Sequence, residues 1–144
     1  MIKNIKALCL LFTLLWMYST SFAQVSNWNG KATFSYCYNY DFDINRQTGE
    51  TIHKSCSFLI DIVADGTGRF IFLDAENGDK FVYSIEEADY GNYKDGSRYL
   101  KMLCKNDYGI STVYVSLKNR RDKESITKLA ILKPKTNAGT VFSD

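Results

Sequence analysis

From Phe34 to Phe42 the chain alternates. Phe34, Tyr36, Tyr38, Tyr40 and Phe42 fall on one side, and Thr33, Ser35, Cys37, Asn39, Asp41 and Asp43 on the other. A period of two is the signature of a strand with one buried and one wet face. The same alternation puts Cys56, Phe58, Ile60 and Ile62 together, opposed by His53, Ser55, Ser57 and Asp61. Further runs rich in β-branched and aromatic residues follow at Arg69 to Asp74, Lys80 to Glu86, Ser97 to Lys105, Ile110 to Leu117 and Ser125 to Lys133, with a short one at Thr140 to Ser143. Glycine, asparagine and aspartate punctuate them, as they do strands. No segment beyond the N-terminal region keeps a 3.6-residue apolar period. Ile85 to Tyr90 makes one helical turn at most.

Short loops between successive strands require antiparallel pairing, because parallel neighbours need long crossovers. Asn77-Gly78 reads as a two-residue hairpin turn, which sets Val82 opposite Leu73, Tyr83 opposite Phe72 and Ile85 opposite Phe70. Asp65-Gly66-Thr67-Gly68 reads as a three-residue loop with Gly68 left-handed, placing Ile62 across from Phe72. The third and fourth runs also carry Ile71, Leu73 and Val82 on their second faces, so the sheet is either covered on both sides there or awaits a partner. The pattern predicts an all-β antiparallel meander of about seven or eight strands, closed into a small barrel or a two-sheet sandwich. Short, unevenly spaced strands without sustained lipid-facing alternation argue against a membrane barrel.

The N-terminal segment has a different character. Lys3 and Lys6 precede an almost unbroken apolar stretch, Ala7 to Tyr18, and small residues Ser21 and Ala23 then occupy the −3 and −1 places of a cleavage site. This is the order of a secretory signal. The apolar stretch is about a dozen residues, short of the roughly 20 that span a bilayer. Cys9 lies inside that stretch, so no lipoprotein attachment site is formed. The expectation is a cleavable signal over 1–23 and a single β-rich domain over 24–144. The domain is exported to the periplasm or beyond a bacterial cell, with no transmembrane segment after cleavage. Of 18 basic and 16 acidic residues, two lysines and no acid fall within the signal, leaving 16 of each. A neutral domain lacks the broad positive field on which nucleic-acid binding relies, so no nucleic-acid partner is expected.

Three cysteines remain after the signal, and an odd number in an oxidising compartment allows one bridge at most. Cys56 and Cys104 fall on apolar faces and form the candidate disulfide, with Cys37 left over on the polar side. Cysteine catalysis needs a base, and the one histidine, His53, stands at an odd offset from Cys56 on the same strand. One histidine and scattered cysteines also fail any zinc spacing, so no metal and no cofactor are assigned. Asp74 to Asp79 has the flavour of a calcium loop but lacks the glycine and glutamate at the required places. Without a catalytic constellation, the chain reads as non-enzymatic.

Two aromatic features point to binding instead. Tyr36, Tyr38 and Tyr40 carry hydroxyls that a plain core strand would have to satisfy, which suits the lining of a ligand cavity. The stretch Asp89 to Tyr99 is rich in tyrosine, glycine, asparagine and serine, the composition of recognition loops. Tyr90, Tyr93, Arg98 and Tyr99 are its candidate contact residues. The function expected first is an exported binding module of inhibitor, immunity or envelope-assembly type, acting on a protein partner through this loop. The alternative is a lipocalin-like carrier of a small apolar molecule in a barrel cavity. Trp28-Asn29-Gly30 inverts the Gly-x-Trp order with which lipocalin-like and avidin-like barrels open, and no family is claimed on it.

Overall fold

The computed structural model describes residues 25–121 and 123–144. The segment read as a signal, 1–23, lies outside them. The strands are β1 (Trp28–Asp41), β2 (Arg46–Gln47), β3 (Ile52–Ile62), β4 (Gly68–Asp74), β5 (Lys80–Asn92), β6 (Arg98–Asn106), β7 (Gly109–Arg120), β8 (Lys123–Leu132) and β9 (Ala138–Ser143). Each pairs antiparallel with the next, except that β2 only clips the end of β1. Tyr36 to Asp41 of β1 pair with β9, which closes eight strands into a barrel. The choice between barrel and sandwich is thereby decided, and closure leaves no continuous sheet edge to aggregate.

Three register shifts interrupt the alternation, between Phe34 and Tyr36, between Ile85 and Glu87, and between Ser116 and Leu117. Inward residues flanking each are three apart rather than two: Phe34 and Cys37, Ile85 and Ala88, Ile126 and Leu129. A bulge adds a residue without a ladder partner and reverses the faces beyond it. The single helical turn allowed at Ile85 to Tyr90 is this bulge, and β5 runs on through it to Asn92.

The hairpins keep the expected faces but not the expected partners. In the β4–β5 connection Asp74 and Asp79 close a four-residue loop, and Phe70 pairs with Tyr83 and Phe72 with Phe81. A two-residue type I′ turn needs positive φ at both central residues. Gly78 has it, at 71°, and Asn77 does not. In the β3–β4 connection the left-handed glycine is Gly66, not Gly68, and Ile62 pairs with Gly68 while Phe58 faces Phe72. Both corrections move the register by an even number, which leaves every side chain on its expected face. Gly66 and Gly96 close two matching loops, in which Asp65 and Asp95 accept from the backbone N–H and hydroxyl of Thr67 and Ser97. Those hydroxyl bonds hold both carboxyls below their ordinary range.

Inside the barrel Phe58 is the hub, with ring centroids 6.0, 5.9, 5.0 and 4.9 Å from Phe34, Phe70, Phe72 and Phe142. One end of the barrel is stoppered by Val25, fully buried and donating its N–H to the Ala88 carbonyl. Trp28 Nε1 donates to Glu124 there at 3.1 Å.

The expected Cys56–Cys104 bridge is absent, and Cys37, Cys56 and Cys104 are all buried free thiols. β4 and β5 lie between β3 and β6, so the two cysteines stand roughly 14 Å apart along the sheet at about 4.8 Å per strand. A disulfide needs Cα atoms within about 7 Å. Cys37, expected on the polar side, faces inward because of the first register shift. Burial pushes Cys104 up to about 12 and Cys56 up to about 11, with Asp74 adding to the second, and raises Cys37. Thiolates are the reactive species. Native protein at pH 8 should therefore leave an aromatic disulfide reagent almost unconsumed, and unfolded protein should titrate all three thiols. Rapid labelling of the native state would refute the inward placement.

Asp74 is 3% exposed yet fully engaged. It pairs with Lys54 Nζ at 2.6 Å and accepts from the backbone N–H of Glu76 and Asn77 and from Asn77 Nδ2. It organises the hairpin turn. The Lys54 ammonium first, then the backbone donors, hold its carboxyl below the ordinary value, and Asp74 holds Lys54 above its own. A depressed carboxyl contributes stability above its unfolded pKa, about 4, and loses it as pH falls through the lower folded value. Denaturant midpoints should thus fall more steeply below about pH 4 in the wild type than in Asp74→Asn. Parallel curves would show that the pair is not linked to folding.

Candidate binding trough

The trough lies on the outside of the barrel, and strand parity places its residues. Leu100, Met102, Val113, Val115 and Leu129 point in. Tyr99, Tyr114, Ser116, Lys128 and Ala130 therefore point out, from neighbouring positions on β6, β7 and β8. Ala130 and Leu132 also face outward, yet they are only 7% and 5% exposed. Outward side chains so well covered mark the floor of a recess. Its walls are aromatic. Tyr93, Tyr99 and Tyr114 form a ladder with centroid separations of 4.8 and 5.7 Å, and Phe42 stands on the opposite lip. The volume of the recess is about 380 Å³.

Local chemistry fixes each wall. The Lys94-Asp95-Gly96 loop turns β5 back on β6 and brings Tyr93 over β7, where its hydroxyl meets Ser116 Oγ at 2.9 Å. Gly91 sits beneath Tyr99, and a Cβ there would run into the ring, so glycine lets the tyrosine lie flat. Across the trough the Phe42 N–H donates to the Asn137 carbonyl at 2.9 Å, and Asn137 Nδ2 donates to Asp43 Oδ1 at 2.8 Å. Phe42 is thereby fixed to the β8–β9 turn. Tyr40 packs against it at 4.8 Å, and Tyr38 against Tyr40 at 6.4 Å. Two lysines, Lys94 and Lys128, two asparagines and no carboxylate line the space, so its polar rim is rich in donors.

The four loop residues expected to act together are divided. Tyr93 and Tyr99 belong to the trough. Tyr90 and Arg98 pair with the inward Leu100 and Leu117, because Asp89 to Asn92 continue β5. Arg98 Cζ lies 3.8 Å from the Tyr90 ring centroid and its Nη2 lies 3.5 Å from Glu124. Burial first, and Glu124 second, raise the Tyr90 phenol. Tyr90, Arg98 and Glu124, with Trp28, brace the stoppered end of the barrel.

The tyrosine stripe does not line the interior. Beyond the first register shift Tyr36, Tyr38 and Tyr40 turn outward: Tyr36 meets the His53 ring, Tyr38 and Tyr40 buttress Phe42, and the Tyr40 hydroxyl donates to Asn45. A recess of about 260 Å³ at the open mouth of the barrel is bordered by Phe72, Tyr83, Ser111 and Phe142. Tyr114 and Phe42 also wall the trough and are not among the residues expected from the sequence. Tyr114 could have been found, since it is the one large aromatic on the polar face of a strand whose other face reads Val113, Val115, Leu117. Lys128 and Ala130 could not, because the shift near Thr127 hides their face.

No protein-family model matches this chain, and no curated protein or solved structure resembles it at a significant level. The described residues contain no group of three or more His, Cys, Asp or Glu placed to hold a metal ion. The trough offers aromatic faces, phenol and amide hydrogen bonds and two ammonium groups.

Proposed function

We propose that the protein is an exported, non-catalytic binding module that holds an apolar projection of a protein partner in the aromatic trough. One observation carries this reading: three tyrosines and Phe42 wall an outward recess whose floor residues are buried without being part of the barrel core. Tyrosine supplies large contact area with few rotatable bonds and a polar tip, the economy of recognition surfaces. The trough lining contains no carboxylate, histidine or thiol, which supports recognition over catalysis. Export rests on the charge, apolar and small-residue order of the first 23 residues.

A photo-reactive amino acid in place of Lys128, in the full chain expressed in its own cells, tests the reading. A polypeptide adduct that disappears with Tyr99→Ala supports it. A small-molecule adduct would favour the carrier alternative, for which the mouth recess bordered by Tyr83 and Phe142 is the specific support. A carrier of that kind would still label from a photo-reactive group at Ser111.

A further inference from the structure

A second surface lies on the wall of the barrel formed by β3, β4 and β5, well away from the trough. Leu59, Ile71 and Val82 stand side by side on the outer face, with Leu73 beside them. Leu59, Leu73 and Val82 are 48%, 40% and 50% exposed. β4 therefore carries apolar residues on both faces: Phe70 and Phe72 inward, Ile71 and Leu73 outward. Two-faced strands belong in sheets covered on both sides, and nothing among the described residues covers this one. A shallow recess of about 620 Å³ runs over Leu59, Ile71 and Leu73 between Lys31 and Lys80. A neighbouring cleft of about 440 Å³ shares Lys80 with it and reaches Val82, Lys105, Asp107 and Tyr108.

The rim fixes what can sit there. Lys31, Lys80 and Lys105 border the recesses, and Arg69 adjoins Ile71 along the strand. None of the four makes an ion pair with a described residue. Of the carboxylates on this wall, Asp107 lines the second cleft, Asp61 lies across from Arg69 and Glu86 accepts from the Ser84 hydroxyl. None lines the recess between Lys31 and Lys80. A two-fold dimer centred on the recess would bring Lys31 and Lys80 of both copies together with no carboxylate in its lining to offset them. Leu59, Ile71 and Leu73 line a recess, a concave shape that receives a projecting side chain rather than a flat lipid surface. We infer that this wall is a second docking surface, for a protein segment presenting apolar side chains flanked by carboxylates, so that the barrel bridges two partners.

Panning a phage-displayed library of random peptides against the protein expressed from its full reading frame tests the inference. Enriched peptides should combine Leu, Ile or Phe with Asp or Glu. The paired substitutions K31E and K80E should weaken their binding about tenfold or more, since charge reversal at a rim opposes complementary carboxylates. Thermal unfolding of that variant should match the wild type, because both side chains are exposed. Tyr99→Ala should leave these peptides bound, which separates this surface from the trough. Four results would overturn the inference: no enrichment, enrichment indifferent to K31E and K80E, a dimer in sedimentation dispersed by those changes, or retention on phosphatidylglycerol vesicles.

Discussion

Phe58→Ala should lower the unfolding midpoint by on the order of 10–20 °C, the largest loss expected of any single truncation in this barrel. The ring is 2% exposed and touches four other aromatic rings, from β1, β4 and β9. Removing it leaves a void that those rings cannot all collapse into, at about 3–5 kcal/mol for a Phe-to-Ala change in a core. Total stability for a domain of this kind is about 5–15 kcal/mol, so much of the reserve is lost. Phe58→Leu retains most of the volume and should cost less than about 1.5 kcal/mol. Phe81→Ala provides the contrast: it stacks on Phe72 at 5.4 Å but is 38% exposed at the barrel mouth, so its loss should be much the smaller. Denaturant titration of the three variants decides the matter. If Phe58→Ala and Phe81→Ala cost the same, Phe58 is not the hub of the core.

The fold was legible because side-chain alternation survives errors in pairing. The hairpin of β4 and β5 was misread by one pair of residues and that of β3 and β4 by two, yet Phe58, Phe70 and Phe72 face inward in either register. Alternation fails only at a bulge, which obeys no simple sequence rule. Cys37 shows the consequence: reckoned from Phe34 by twos it faces water, and across the register shift it faces the core. The same shift turned Tyr36, Tyr38 and Tyr40 from supposed cavity lining into outer-wall residues. Closure of the barrel through β1 and β9 was also beyond a local reading, because it joins strands a hundred residues apart.

The trough was half legible. Tyr93 and Tyr99 stand in a stretch whose composition advertised contact. The same composition is no guide at Tyr90 and Arg98, which belong to β5 and β6 rather than to the loop between them. Gly91 is glycine to make room for the Tyr99 ring, not to turn the chain; the turn belongs to Gly96, with φ of 86°. Phe42 and Tyr114 enter from distant parts of the chain, and only strand order brings them together. A conserved spacing cannot announce a site assembled across a closed sheet.

Truncating that site gives the largest functional effect expected. Tyr99→Ala should weaken binding of the partner about 30-fold or more, the loss of about 2 kcal/mol that marks a central aromatic contact. Tyr114→Ala should act comparably, because its ring meets Tyr99 edge-on at 5.7 Å and forms the next step of the wall. Touching rings support each other, so the double variant should lose less than the product of the single losses. Neither ring belongs to the core, and both variants should unfold within about 1 kcal/mol of the wild type. Tyr99→Phe keeps the ring and its contact area and should retain most of the affinity. Tyr90→Ala should show the reverse pattern. Its ring supports Arg98 at the stoppered end, so the variant should unfold earlier while its folded fraction binds normally. Calorimetric titration against the polypeptide captured at Lys128, paired with thermal unfolding of each variant, separates the two patterns. Binding lost with Tyr90 and kept without Tyr99 and Tyr114 would move recognition from the trough to the barrel end, where Trp28, Arg98 and Glu124 meet.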